Sequence, residues 1–147
     1  MKKNLILFYP SFERGGVEKI LKNLITNNNK FEITLISSKK AKENLNLEKI
    51  NFVEVKQYFK LPLIHSRYLS AINAMVVLHN YLKTNKKKYL IHSMQSNVAA
   101  IIVSILKSNK IIIRNSENPV YSFLYAENKF FSFLSLILKY LFYNFAD

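Results

Sequence analysis

The chain has only two glycines, and they stand side by side at Gly15-Gly16. The apolar run at 5–9 before them predicts a buried strand. After the glycines, apolar residues recur at helical spacing: Val17, Ile20, Leu21, Leu24 and Ile25. A glycine lets a ligand approach the backbone, and a helix N-terminus offers unpaired N–H groups and a positive dipole end. The pattern predicts a strand, a glycine turn and a helix. The turn would be either an anion-binding site or a tight turn without a ligand.

Strand and helix patterns alternate along the rest of the chain. Strands are predicted at 31–37, 51–55, 89–92 and 110–114, and helices at 70–82, 97–106 and 130–145. Residues 38–49 read as loop with a short helix, 57–64 as irregular, and 115–126 as loop. Short apolar strands that alternate with helices indicate a parallel sheet covered on both faces. The predicted fold is therefore α/β: a doubly wound, Rossmann-like parallel sheet in a single domain over 1–147.

In such a fold, ligands bind outside the carboxyl ends of the strands. Polar residues follow the last two predicted strands: His92, Ser93 and Asn97, then Arg114, Asn115, Ser116, Glu117 and Asn118. Arginine can grip a phosphate or a hydroxyl group, the amides can bond hydroxyls, and Glu117 could act as a base. The alternative is local: Asn and Ser bonding their own turn, His92 sitting in the core, and Ser96 or Asn97 capping a helix.

Several function classes lack their sequence signatures. Neither the dinucleotide fingerprint G-x-G-x-x-G nor the P-loop motif is present, which argues against a nicotinamide oxidoreductase or a P-loop ATPase. No metal-ligand spacing occurs, and without cysteine there is no disulfide or cysteine-based zinc site. The first apolar run is too short for a signal peptide. A cytoplasmic protein without a metal or cofactor is the expectation.

The formal net charge is +13, which favours anionic partners such as acidic lipid, nucleic acid or phosphorylated substrates. The lysines are dispersed, however, and a general compositional bias toward Lys, Asn, Ile, Phe and Tyr would also produce this charge. No recognised RNA- or DNA-binding motif is present, which argues against a nucleic-acid partner.

The last segment, 130–145, is predicted to be a very aromatic helix. Its length falls short of the roughly 20 residues of a membrane span, and Lys139 interrupts it. Of three alternatives, a membrane-spanning helix is therefore the least favoured. The helix packs in the core and against a missing strand or domain, or it lies at a membrane interface with Lys129 and Lys139 near acidic head groups, and these two alternatives can coexist.

Taken together, these motifs resemble the N-terminal domain of GT-B glycosyltransferases, most closely the retaining family 4. The resemblance rests on the strand, the Gly15-Gly16-Val17-Glu18 turn and a helix that contains Asn23-Leu24. The later order also fits: a strand that ends at His92-Ser93, a small-residue helix, the strand Ile112-Ile113-Arg114, and a final Ala146-Asp147.

The resemblance implies roles for individual residues. Gly15 and Gly16 would lie against the diphosphate of a nucleotide-sugar donor. The acceptor side would be lined by His92, Ser93, Asn97, Arg114, Asn115, Ser116 and Asn118, with Glu117 as the catalytic candidate. The acceptor would be a cell-envelope glycan or a lipid-linked molecule, handled at the inner face of an anionic plasma membrane. Arg114 to Glu117 stand where many family members carry a histidine near the transferred sugar.

The second domain of that family, with its nucleotide pocket and Glu-x7-Glu motif, has no counterpart in the sequence. We therefore expect an acceptor-side domain that is incomplete at its C-terminal end and inactive alone. A non-catalytic, basic Rossmann-like module that binds a membrane surface or nucleic acid is the alternative.

Overall fold

A parallel sheet forms the centre of the computed structural model, which describes residues 3–12, 15–48, 50–59, 66–115, 119–126 and 128–146. Its five strands are β1 Lys3–Tyr9, β2 Phe31–Ser37, β3 Asn51–Glu54, β4 Leu90–Ser93 and β5 Lys110–Ile113. They are ordered β3-β2-β1-β4-β5, and every neighbouring pair is parallel. The chain therefore winds outward in both directions from the boundary between β1 and β4, which confirms the predicted doubly wound fold.

The helices of the described part are α1 Gly16–Thr26, α2 Lys39–Asn44, α3 Ser66–Thr84, α4 Asn97–Leu106, α5 Pro119–Leu124 and α6 Lys129–Phe142, followed by a 3₁₀ turn at Tyr143–Phe145. Two differ from the sequence prediction. Helix α3 begins earlier than expected, and α5 occupies part of the segment predicted as a loop over 115–126. That prediction was wrong because it treated Pro119 as a breaker, whereas proline is also favoured at the first position of a helix.

Alternate strand residues divide the core into two layers. Leu5, Leu7 and Leu35 pack with α1 and α2 on one side, which we call the α1 face. Ile6, Phe8 and Ile36 pack with α3 and α4 on the other side, the α3 face. Successive side chains of a strand point to opposite faces, so near-continuous apolar strands are what a sheet covered on both sides requires.

Helix α6 lies on the outside of the α3 face. The Asn128 side chain accepts a hydrogen bond from the Phe131 backbone N–H at 3.2 Å, which caps the start of the helix. Phe131 lies against Tyr68 of α3, with ring centroids 5.4 Å apart, and at the other end Phe142 and Tyr143 pack on the core. No residue of α6 is buried. Among the described residues, no helix has both the length and the apolarity needed to cross a membrane.

Candidate functional site

The carboxyl edge of the sheet gathers three of the predicted loops. Strands β1 and β4 are neighbours in register, with Leu7 opposite His92 and Phe8 opposite Ser93. β5 continues the alignment, with Ile112 opposite His92. The turn after β1, the β4–α4 loop and the residues after β5 therefore emerge side by side at the switch point, where open α/β sheets bind their ligands.

The glycine turn leads directly into α1. Gly15 is the N-cap residue and has a φ of +147°, a conformation that residues with side chains rarely adopt. Gly16, the first residue of α1, has no such φ, and a Cβ atom added there would meet nothing within 4 Å. Gly15 is thus required by the backbone, whereas the space beside Gly16 is open. Gly15 itself has no side chain with which to cap this helix end.

Three side chains hold Ser11 and Phe12, which follow β1. The Ser11 N–H donates to Gln95 Oε1 at 2.8 Å, and the Ser11 hydroxyl lies 3.1 Å from the Ser70 hydroxyl. The Phe12 N–H donates to Ser38 Oγ at 3.3 Å. The β4–α4 loop, the start of α3 and the end of β2 each contribute one of these bonds. The backbone that precedes the glycine turn is therefore fixed from three directions.

A buried network ties β4, α4 and β5 together. The Ser93 hydroxyl donates to Asn97 Oδ1 at 2.8 Å, and Asn97 Nδ2 donates to the Arg114 carbonyl at 3.0 Å. Asn97 Nδ2 also lies 3.3 Å from the Tyr143 hydroxyl. The Arg114 N–H donates to the Ser93 carbonyl at 2.8 Å. Ser93 and Asn97 thus engage each other and fix the main chain of Arg114 at the end of β5.

His92 and Arg114 form the charged part of the edge. Leu7, the register partner of His92, belongs to the α1 face, so His92 lies on the same side of the sheet as the helix that the glycine turn begins. Partial burial of the imidazole, followed by the positive charge of Arg114, lowers the pKa of His92 below 6.5. The imidazole is therefore neutral at pH 7, and it can donate from one ring nitrogen and accept at the other.

The Arg114 guanidinium is only partly satisfied. Its Nη1 atom is buried and has no hydrogen-bond partner among the described residues. A buried donor without a partner costs on the order of 1–3 kcal/mol, and more when the group is charged. An oxygen atom from an anionic or hydroxylated ligand would satisfy it. Together, His92 and Arg114 offer a positive charge and a neutral hydrogen-bonding ring at one place on the edge.

The structure brings some of the predicted site residues together and leaves others outside its description. His92 and Arg114 are neighbours, Ser93 and Asn97 form the network behind them, and Asn115 is exposed beside Arg114. Ser116, Glu117 and Asn118 lie outside the described residues, so the roles predicted for them stay predictions. Three contributors were missed, namely Ser38, Ser70 and Tyr143. A polar residue directly after a strand was an available signal for Ser38, but none existed for Tyr143.

Over the described ranges, His, Cys, Asp and Glu do not come together in any group of three or more that could hold a metal ion.

No protein-family profile and no curated protein matches the sequence. Solved structures do match the fold. A UGT transferase from Siraitia grosvenorii in complex with UDP is similar at a TM-score of 0.58 and 13% identity, over 83% of this chain and 30% of that one. Phytolacca americana UGT2, complexed with UDP-2fluoro-glucose and pterostilbene, is similar at 0.55 and 10% identity, over 84% and 33%.

These similarities, with the strand order, define the class of fold: the chain has the Rossmann-like architecture of one half of a GT-B glycosyltransferase. It spans about a third of the length of the glycosyltransferases it matches. At 10–13% identity the likeness extends to the fold alone.

Proposed function

We propose that this chain is the acceptor-side domain of a glycosyltransferase that moves a sugar from a nucleotide-sugar donor to a cell-envelope glycan or a lipid-linked acceptor. One observation supports this most strongly. The glycine turn, His92 and Arg114 meet at one edge and on one side of a sheet whose fold is shared with UDP-bound glycosyltransferases. Assignment to the retaining family 4 is part of the proposal and rests on the Gly15-Gly16-Val17-Glu18 resemblance.

In this proposal the donor diphosphate lies against the glycine turn. Developing negative charge on a departing diphosphate is stabilised by backbone N–H groups already aimed at it. Gly16 and Val17 stand in the first turn of α1, where N–H groups lack helical partners. Glu18, also in this turn, is paired with Lys22 at 2.7 Å, which offsets its repulsion of an anion. The open space beside Gly16 is the approach route.

In the same proposal the acceptor lies beside the glycine turn, at the ends of β4 and β5. Arg114 would hold an acceptor oxygen, and the neutral His92 would bond a hydroxyl group. Asn115, Ser116 and Asn118 belong to the same proposed acceptor site, and Glu117 is proposed as the base. Ser93 and Asn97, predicted to contact the acceptor, would act by keeping the Arg114 backbone in place. The acceptor is proposed to reach the site from an acidic membrane surface on which the protein binds peripherally.

A second domain is proposed to carry the nucleotide pocket, because the solved glycosyltransferases are about three times as long as this chain. The 147-residue chain alone should therefore neither hydrolyse nor transfer from a nucleotide sugar. Robust turnover by the purified chain would contradict the proposal that a second domain carries the nucleotide pocket.

In a longer protein that contains the chain and transfers sugar, Arg114→Ala should raise the KM for acceptor by about 10-fold or more, since a charge-assisted hydrogen bond is lost. Glu117→Gln should lower kcat. Neither variant should change the affinity for nucleotide. Asn109→Ala, at the opposite end of β5, is the control that should leave acceptor kinetics unchanged. If nucleotide affinity falls in Arg114→Ala while acceptor kinetics hold, Arg114 belongs to the donor side.

A further inference from the structure

Helix α6 presents its apolar side outward. Six large apolar side chains form one stripe along it, which we call the outward stripe: Phe130, Phe133, Leu134, Ile137, Tyr140 and Leu141. They are between 39% and 79% exposed. Their spacing of three and four residues places them on one face of the helix. A surface helix of a globular protein normally turns such a stripe toward the core.

The opposite side of α6 carries its polar residues. Ser132, Ser135 and Lys139 recur at spacings of three and four, and all three are less exposed than the outward stripe. The side of α6 that faces the protein is mixed, because Leu136, Leu138 and Phe142 are also less exposed than the outward stripe, whereas the outward side is apolar. The contiguous exposed stripe distinguishes α6 from a helix that merely carries scattered surface apolar residues, which would need no explanation.

Helix α5 extends the apolar surface. Tyr121, Leu124 and Tyr125 are 57% to 79% exposed. The Lys129 ammonium donates to the Phe123 carbonyl at 2.9 Å and also to the Leu124 carbonyl, which fastens the end of α5 to the start of α6. The two linked helices thus both expose aromatic side chains, with Tyr121 and Tyr125 on α5 and Tyr140 on α6. Tyrosine suits a membrane interface because its ring is apolar and its hydroxyl stays hydrated.

Net charge distinguishes between the binding partners that could cover such a surface. A second copy of this chain would also carry +13, so its approach is opposed by long-range repulsion. A bilayer that contains acidic lipid attracts the same charge. The acidic residues of this part of the sequence, Glu127 and Asp147, are offset in number by Lys129 and Lys139, so the attraction comes from the molecule as a whole.

We propose that the outward stripe of α6, with the exposed aromatics of α5, inserts into the interfacial layer of a bilayer containing acidic lipids. This deepens the proposed peripheral membrane contact and rests on it for biological meaning. Tyr143, just beyond α6, lies 3.3 Å from Asn97 at the carboxyl edge. A bilayer held by α6 would therefore lie close to the acceptor side of the site, where a lipid-linked acceptor emerges from the membrane.

The test is vesicle flotation with the full 147-residue chain. Vesicles of phosphatidylcholine alone are compared with vesicles of three parts phosphatidylcholine to one part phosphatidylglycerol, at low and at high salt. The chain should float with the acidic vesicles, and less so at high salt because exposed charges are screened. Phe130→Ser with Ile137→Ser should weaken partitioning by about 10-fold or more, since two apolar side chains leave the bilayer.

Tyr58→Ser is the control, because it removes an aromatic side chain that is 53% exposed on the loop after β3 and belongs to neither α5 nor α6. It should float as the parent does, and circular dichroism should show all variants folded. Absence of flotation in the parent, or unchanged flotation of the double variant, would overturn the proposal. So would a dimer that the same double substitution dissociates, without vesicle binding. The assay contains no nucleotide or sugar, so its failure is distinguishable from failure of the proposed transferase activity.

Discussion

At the scale of single residues, His92 and Arg114 interact electrostatically although they are 22 positions apart in the sequence. Register places them together, because β4 and β5 are parallel neighbours and both residues stand at the carboxyl edge. The positive charge and the burial both oppose protonation of the imidazole. This arrangement keeps a neutral ring beside a permanent cation, which suits recognition of hydroxyls and anions by different groups of one site.

The lowered pKa of His92 predicts acid sensitivity. Because the folded-state pKa lies below 6.5, the unfolded chain binds the proton first as the pH falls. Stability contributed by the neutral imidazole is therefore present above pH 6.5 and is lost as the pH falls below it, down to the folded-state pKa. His92→Gln should flatten this part of the profile, as measured by urea midpoints at about pH 7.5 and about pH 5.5.

His79→Gln is the control for the titration, because it removes an imidazole from α3 instead of from a strand end. It should leave the acid dependence of the parent in place. Identical pH profiles for the parent and for His92→Gln would show that the stability of the fold does not depend on this imidazole.

At the scale of secondary structure, the sequence predicted the elements whose pattern is local. β2 at 31–37 and α4 at 97–106 have the predicted bounds, because an apolar run or a helical repeat fixes each. Helix α5 was missed, since a proline and a short aromatic stretch do not separate a turn from a helix. The early start of α3 at Ser66 was missed too, although Tyr68 continues the apolar stripe three residues before Ala71.

The site was predictable only in part, because local sequence patterns do not determine how distant elements pack against each other. Strand ends located His92 and Arg114, which follow from topology once the sheet is parallel. The Asn97 contact with Tyr143 spans 46 positions and depends on where α6 docks, which no local pattern encodes. The orientation of α6 also could not be predicted from the sequence. An amphipathic repeat shows that a helix has two sides, but not which side faces the protein.

Helix α6 should be held by its last turn rather than by its outward stripe. Phe142 is partly buried and packs on the core of the α3 face, whereas Phe130 is 71% exposed. Phe142→Ala should cost about 2–4 kcal/mol of unfolding free energy because it leaves a cavity, and Phe130→Ala should cost well under 1 kcal/mol. Urea denaturation without lipid measures both. Equal costs for the two variants would mean that α6 docks in another orientation.

At the scale of the whole molecule, the proposed function places a donor diphosphate at the glycine turn and an acceptor near His92 and Arg114, at the same carboxyl edge of a GT-B half-fold. The +13 charge raises the local concentration of any anion, so specific binding must be separated from general attraction. General attraction weakens with salt and is spread over the dispersed lysines. The proposed binding at the glycine turn would instead depend on backbone groups at one helix end, and a single added side chain should disrupt it.

The most direct measurement is a titration of the isotope-labelled chain with UDP at elevated salt, followed by amide chemical shifts. The proposed function predicts weak UDP binding that changes the amide chemical shifts of Gly16, Val17 and Glu18. Gly16→Val should abolish those shifts and keep the fold, because a Cβ atom there meets nothing of the protein but would stand in the path of the phosphate. Shifts confined to scattered lysines, or identical shifts in Gly16→Val, would contradict the proposal that this turn seats the donor diphosphate.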